Sequence, residues 1–325
     1  MVEERISAGQ GTRWSSSPDG RPVAGQGRPV ALLRFDRCAH LAASGWARAA
    51  AAALDTSLVS LRVFPPSPVH ANVVFPQRNV VEGFLEARQV ETLMVAEQRW
   101  HARFGKHETP PALVTLMSMG FQHLVEVLEC VSPSLVVLPA SRSWPAENVV
   151  RLATALQIPV LVCRGSRGSR RMVVASNLED SRRPVLRLAA QWASVLGQQI
   201  TLVHNITPML MVPPPSPEVC WFGVGTAELD QQVAQHRVSL LERSAMEFGV
   251  DASVMRELDP AAGILGVASR MDASLVVVGA RSVGGAASHR VPRRVLSSAR
   301  RSVLVVPIDD GLASQAPDTG PGLRN

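Results

Sequence analysis

The residues best placed to do chemistry lie in one stretch, SLVVVGARSVGGAASHRVPRRVLSSARRSVLVVP, at 274–307. An apolar strand runs into Gly279. Ser282, Gly284 and Gly285 follow in a small-residue loop, and His289 and Arg290 stand where a basic helix begins. Glycine lets backbone approach a ligand closely, and a helix N-terminus offers N–H donors to an anion. A guanidinium at that point could clamp a phosphate. The chemistry on offer is anion binding. A plainer reading stands beside it. Gly279 ends a buried strand and turns the chain, and Gly284 and Gly285 are loop. On that reading His289, Arg290, Arg293, Arg294, Arg300 and Arg301 form a solvated helix face. Val291, Val295 and Ala299 have the i, i+4, i+8 spacing of a face packed on a core. Pro292 is tolerated only in a first helical turn, so the helix starts near 289–292.

Few other residues offer chemistry. Asp36 follows an apolar strand and can either contact a ribose or cap the next helix. His204 lies within a strand and reads as a core histidine. His101 and His107 are spaced badly for one helix face, so no metal is expected there. Cys38, Cys130, Cys163 and Cys220 form no C-x-x-C and read as reduced, mostly buried thiols. The GQG triplets at 9–11 and 25–27 follow no strand and are not a dinucleotide fingerprint. No G-x-S-x-G or G-x-x-x-x-G-K-[ST] occurs, and no nucleophile–base pair is evident, so an enzyme is not expected.

The elements that position these residues alternate. Apolar strands are predicted at 29–35, 57–64, 112–118, 134–139 and 159–163. Helices are predicted at 38–54, 80–103, 121–131 and 146–156. The order then repeats, with strands at 170–176, 200–206, 251–258, 274–279 and 302–307. Its helices lie at 183–197, 227–249, 261–271 and just before the last strand. SLVV occupies 134–137 and again 274–277, and PPSP occupies 65–68 and again 214–217. A repeat this long means two whole domains. Continuous apolar strands alternating with helices predict α/β architecture. Two tandem doubly wound domains are expected, each a five-stranded parallel sheet with helices on both faces. Their bounds are a flexible arm at 1–28, a first domain at 29–163, a linker at 164–170, a second domain at 171–307 and a flexible tail at 308–325.

Composition sets the wider bounds. The chain has 325 residues, enough for two cores, and 46% of them are hydrophobic, too many for a disordered chain. No apolar run reaches the ~18 residues of a membrane span. The N-terminus lacks an apolar signal region, so a cytoplasmic protein with no membrane partner is expected. The net charge of +6 rests on arginine, since Lys106 is the sole lysine. Arginine bias and an anionic partner explain it equally. No helix-turn-helix or aromatic–basic interleaving supports nucleic-acid binding. The loop TPMLMVPPPSPEVCWFGVG at 207–225 is apolar without periodicity. It is either a lid over its own domain or a contact surface for a homodimer or another protein.

This layout resembles the universal stress protein family in its tandem form over nearly all of 29–307. SRMDASLVVVGARS resembles the family's strand-to-glycine signature, and VLSSARRSVLVVP its last helix and strand. The resemblance implies a binding or regulatory module in a stress response. Family members that bind ATP carry an aspartate after the first strand and a G-x2-G-x9-G-[ST] loop after the fourth. Here Gly279 matches the first glycine, Ser282 replaces the second, and His289 and Arg290 fall near the final glycine–serine pair. Asn177 takes the aspartate position. In the first unit Asp36 is kept, but Pro139 replaces the first glycine and the glycine loop is missing. The nucleotide site thus reads as degenerate in both halves. No cofactor is expected, with weak binding of ATP or another nucleotide, or slow ATP hydrolysis, in the second half as the alternative. The family's pairing through last strands implies an intramolecular pseudo-dimer, since PVLVC and SVLVVP would otherwise be exposed edges.

Overall fold

The computed structural model describes residues 5–6, 27–35, 41–63, 112–116, 121–141, 144–165, 168–178, 183–207, 224–281 and 289–308. The first half contributes β2 (Val30–Phe35), α1 (Leu41–Ala53), β3 (Leu58–Val63), β4 (Ala112–Leu116), α2 (Phe121–Val131), β5 (Leu135–Pro139), α3 (Ala146–Leu156) and β6 (Val160–Cys163). The second contributes β7 (Arg171–Ala175), α4 (Pro184–Leu196), β8 (Gln199–Asn205), α5 (Val224–Phe248), β9 (Asp251–Met255), α6 (Pro260–Arg270), β10 (Leu275–Arg281), α7 (Arg290–Ser298) and β11 (Ser302–Ile308). The helix expected at 80–103 lies outside the described residues.

The strands are apolar without alternation because both faces of the sheet are covered. In β10, Leu275 and Val277 face one core while Val276 and Val278 face the other. In β11, Leu304 and Val306 join the first of these cores and Val303 and Val305 the second. Helices α1, α4 and α5 cover one side, and α2, α3, α6 and α7 the other. Each fully buried Val or Leu contributes about 1.5–3 kcal/mol of hydrophobic stabilisation.

The strands do not form two separate five-stranded sheets, as the sequence led us to expect. Together with β1 (Arg5–Ile6), the described strands form one sheet of 11 in the order β1-β9-β8-β7-β10-β11-β6-β5-β2-β3-β4. Within each half the five strands are parallel. The joint is antiparallel, with Val303, Leu304 and Val305 of β11 opposite Val162, Leu161 and Val160 of β6. The physical reason is the apolar character of both last strands, which lie at the middle of the sheet, buried on both faces. The N-terminal arm also departs from expectation at one point. Arg5 and Ile6 form β1, an antiparallel addition to the outer edge of β9.

Polar contacts reinforce the joint. Arg164, just past β6, donates from Nη2 to the carbonyl of Leu296 in the last turn of α7. Its backbone N–H donates to Ser302 Oγ over 3.3 Å. A cation near a helix C-terminus complements the helix dipole. Trp46 of α1 is wholly buried and donates from Nε1 to the carbonyl of Gly165 at 3.3 Å. Arg293 of α7 pairs with Glu147 of α3 across the halves at 3.0 Å, an exposed pair worth about 0–1 kcal/mol. No described helix is long and apolar enough to cross a membrane.

Cys163 closes β6 and is buried, which pushes its thiol well above the ordinary range. The folded chain therefore holds the proton that the unfolded chain releases near pH ~8.5. The thiol's contribution is intact below that pH and is lost as pH rises above it. Unfolding free energy should be flat with respect to this group below pH ~8 and should fall by up to about 1.4 kcal/mol per pH unit above it. Urea unfolding of the natural chain and of Cys163→Ala between neutral and alkaline pH checks this. The alkaline slope should be shallower in the variant, and equal slopes would show that the thiol ionises alike in both states.

Candidate functional site

In the second half the connections from β7 run to β8 on one side, while β10 and β11 lie on the other. The strand order therefore reverses beside β7. In open α/β sheets, a crevice at the C-terminal strand ends opens at such a point. Here it holds a cavity of about 550 Å³. That size lies within the usual range of small-molecule sites. Strand ends supply Ala175, Ser176 and Asn177 from β7 and the turn after it. Val203 to Thr207 come from β8 and its exit, and Val278, Gly279 and Arg281 from β10. Val185 of α4, Val233 and Arg237 of α5, Pro260 and Ile264 of α6, Val291 and Pro292 of α7, and Ile308 of β11 complete the wall.

The polar side chains of this wall largely hold backbone. His204 is buried, and its Nδ1 donates to the Ser176 carbonyl over 2.7 Å, which fixes the proton on that nitrogen. Asn205 clasps the backbone of Glu257: its Nδ2 donates to the carbonyl at 2.9 Å and its Oδ1 accepts from the N–H at 3.0 Å. The Ser176 hydroxyl accepts from the Leu178 N–H at 3.3 Å and shapes the turn that carries Asn177. Arg237 reaches across from α5 and donates from Nη1 to the Asn177 carbonyl over 3.4 Å. Arg237 and Arg281 give the wall its positive charge, and no carboxylate lies among its described residues.

Two of the residues predicted from sequence line this cavity: Gly279 and Asn177. Gly279 lies in β10 opposite Val306. A Cβ there would stand 2.6 Å from both Ile308 Cδ1 and Val185 Cγ2. The glycine is thus required by packing alone. His289 is the N-cap residue of α7, and its Nε2 donates to the Arg281 carbonyl at 2.7 Å, tying together the two ends of the loop. Arg290 is the first residue of α7 and is exposed, outside the cavity wall. Ser282, Gly284, Gly285 and Asp36 lie outside the described residues, as does 208–223 of the apolar loop.

The start of α7 offers an anion one N–H fewer than an ordinary helix N-terminus does. Its third residue is Pro292, which has no N–H to offer. Val291 and Pro292 present apolar side chains to the cavity instead. In the first half the corresponding place lies between the start of α2 and the entry to α3. There the rings of Phe121 and Trp144 stack with centroids 6.3 Å apart, and the Arg151 guanidinium sits 4.6 Å above Phe121. Among the described residues no cluster of three or more His, Cys, Asp or Glu could hold a metal.

Sequence reasoning overlooked Arg237, Arg281 and the place of His204 in the wall. Arg281 and His204 were reachable, because both sit at the C-terminal ends of strands that flank the reversal. Nothing local marks Arg237, which comes from a distant helix.

Residues 168–307 match the model of the universal stress protein family. No curated protein matches the chain. Several solved structures share its fold, among them the following two. A protein of unknown function from Pseudomonas aeruginosa PAO1 is 13% identical, with a TM-score of 0.55, over 90% of this chain and 96% of its own. A universal stress protein from Archaeoglobus fulgidus DSM 4304 is 12% identical, with a TM-score of 0.54, over 89% of this chain and all of its own (100%).

Gly279→Ala should destabilise the chain by about 1–3 kcal/mol, the usual cost of overpacking a filled site. Ile308→Ala in the same chain should recover part of that loss, because it removes one of the two clashing atoms. Chemical denaturation of the single and double variants measures both effects.

Proposed function

We propose that this chain is a tandem member of the universal stress protein family whose two halves pair as an intramolecular pseudo-dimer. It acts as a binding or regulatory module in a stress response. The observation that carries this reading is the cavity at the strand reversal of the second half, inside the segment that matches the family model. Its polar groups serve to hold backbone rather than to assemble a nucleophile with a base, which favours binding over turnover.

The nucleotide site is degenerate in both halves. In the first, Pro139 stands at the glycine position and stacked aromatic rings occupy the place of the opening. In the second, Asn177 brings no charge to a ribose, and Pro292 removes a helix N–H from the phosphate side. Any nucleotide or inorganic phosphate held there sits between 279–288 and the start of α7, attracted by Arg290 and by the helix dipole, worth roughly 0.3–1 kcal/mol for an exposed anion. Calorimetry with ATP, GTP and pyrophosphate should give similar millimolar affinities for all three. Tight binding selective for ATP would overturn this reading in favour of a nucleotide-binding module.

The seam supports the pseudo-dimer, because parting β6 from β11 would bare two apolar edges. Residues 1–163 and 164–325 co-expressed as separate chains should purify as one complex. Two independent, soluble, monomeric halves would count against the pairing.

A further inference from the structure

We infer that the second-half cavity takes an uncharged aliphatic molecule, held by its hydrocarbon, rather than a nucleotide. The inference rests on the reading above that this cavity is the ligand site, and it names the class of ligand.

The walls set the ligand. Val185 of α4, Val203 of β8, Ile264 of α6, Val278 of β10, Val291 of α7 and Ile308 of β11 all line the cavity. Six elements thus present branched aliphatic side chains to one space of about 550 Å³. Val185, Val203, Ile264 and Val278 are themselves buried, so this wall is the end of the core and is held in place by it. Hydrocarbon laid against such a wall leaves water, which is favourable in proportion to the area covered. A nucleobase is served poorly. The described wall holds no Phe or Trp on which a flat ring could stack.

The polar groups of the strand ends are spent within the protein. Asn205 gives both ends of its amide to the backbone of Glu257, and His204 donates from Nδ1 to the Ser176 carbonyl. The Ser176 hydroxyl accepts from the Leu178 N–H. Arg237 holds the Asn177 carbonyl, and both Arg237 and Arg281 are engaged in further contacts inside the chain. A ribose and a phosphate chain would need donors from these same groups, at the cost of bonds the fold already makes. A molecule recognised by its hydrocarbon needs none of them. The mouth differs in kind. Asn177 and Thr207 line the cavity, are exposed, and carry uncharged polar side chains. They suit a head that is polar without charge, such as a hydroxyl. Drawing a charged head in among the apolar walls would cost far more than drawing in a hydroxyl.

Hexanol, octanol, decanol and ATP are the probes, titrated calorimetrically into the full chain. Affinity should rise about fourfold for each added CH₂, or about fifteenfold for each step of two carbons. Decanol should bind at least tenfold more tightly than ATP. Val291→Asp places a carboxylate on the cavity wall in the first turn of α7, where a helix N-terminus tolerates it, and should weaken decanol at least tenfold. Val233→Asp does the same from the rim, where Val233 is 41% exposed, and should weaken decanol in the same sense. That second variant keeps the test decisive if Val291→Asp unfolds. Affinity indifferent to chain length, or alcohol binding unmoved by either variant, would overturn the inference by placing the contact outside this cavity. ATP binding more tightly than decanol, and weakened by Val291→Asp, would overturn the ligand class and leave the cavity a ligand site. Failure of all four probes to bind would overturn both the class and the reading of the cavity as a ligand site.

Discussion

A strand whose two faces are both apolar must be covered above, below and along its open edge. Each half of this chain ends on such a strand. Leu161 and Cys163 of β6 share a core with Leu304 and Val306 of β11, and Val160, Val162, Val303 and Val305 share the opposite core. Antiparallel pairing of β6 with β11 satisfies both edges at once and runs two five-stranded parallel arrays into one sheet. The cores on either side then extend through the seam, so neither half closes its interior alone.

Helix α7 carries this constraint to the cavity. Its C-terminal turn is held by Arg164, the first residue past β6. One flank pairs with Glu147 of the first half through Arg293. Another reaches Asp259, the N-cap of α6, through Arg294 at 3.0 Å. Its N-terminal residues Val291 and Pro292 form part of the cavity wall. Burial lowers the Arg164 proton affinity somewhat, yet a guanidinium stays charged at any ordinary pH, so this clamp is constant. The position of the cavity wall is therefore set in part by the first half, which itself lends no described residue to the wall.

Much of the fold was legible because burial on two faces leaves a plain mark. Helices α2 and α3 fall on the expected bounds, 121–131 and 146–156, and Pro292 placed the start of α7. The two-residue strand β1 was not legible, since pairing at an edge by Arg5 and Ile6 creates no periodic signal. The single sheet was hidden for a related reason: hydropathy says that a strand is buried and not which strand lies beside it. The site was only half legible. Gly279 was found at the end of its strand and Asn177 through the family resemblance, but Arg237 contacts Asn177 from 60 residues away. Arg290 drew attention by charge, and charge does not say which way a helix surface faces.

Gly279 shows that a glycine at the end of a strand can be explained without any ligand. Wherever glycine follows the fourth strand, two explanations compete: room for a phosphate, or room for neighbouring side chains. Here the atoms a Cβ would strike are Ile308 Cδ1 and Val185 Cγ2, both apolar and both belonging to the same core. The glycine is held by that packing and would be held with no ligand at all. Asn177 and Pro292, in the same cavity wall, bring an uncharged amide and a position without an N–H, so neither adds to the case for a phosphate there.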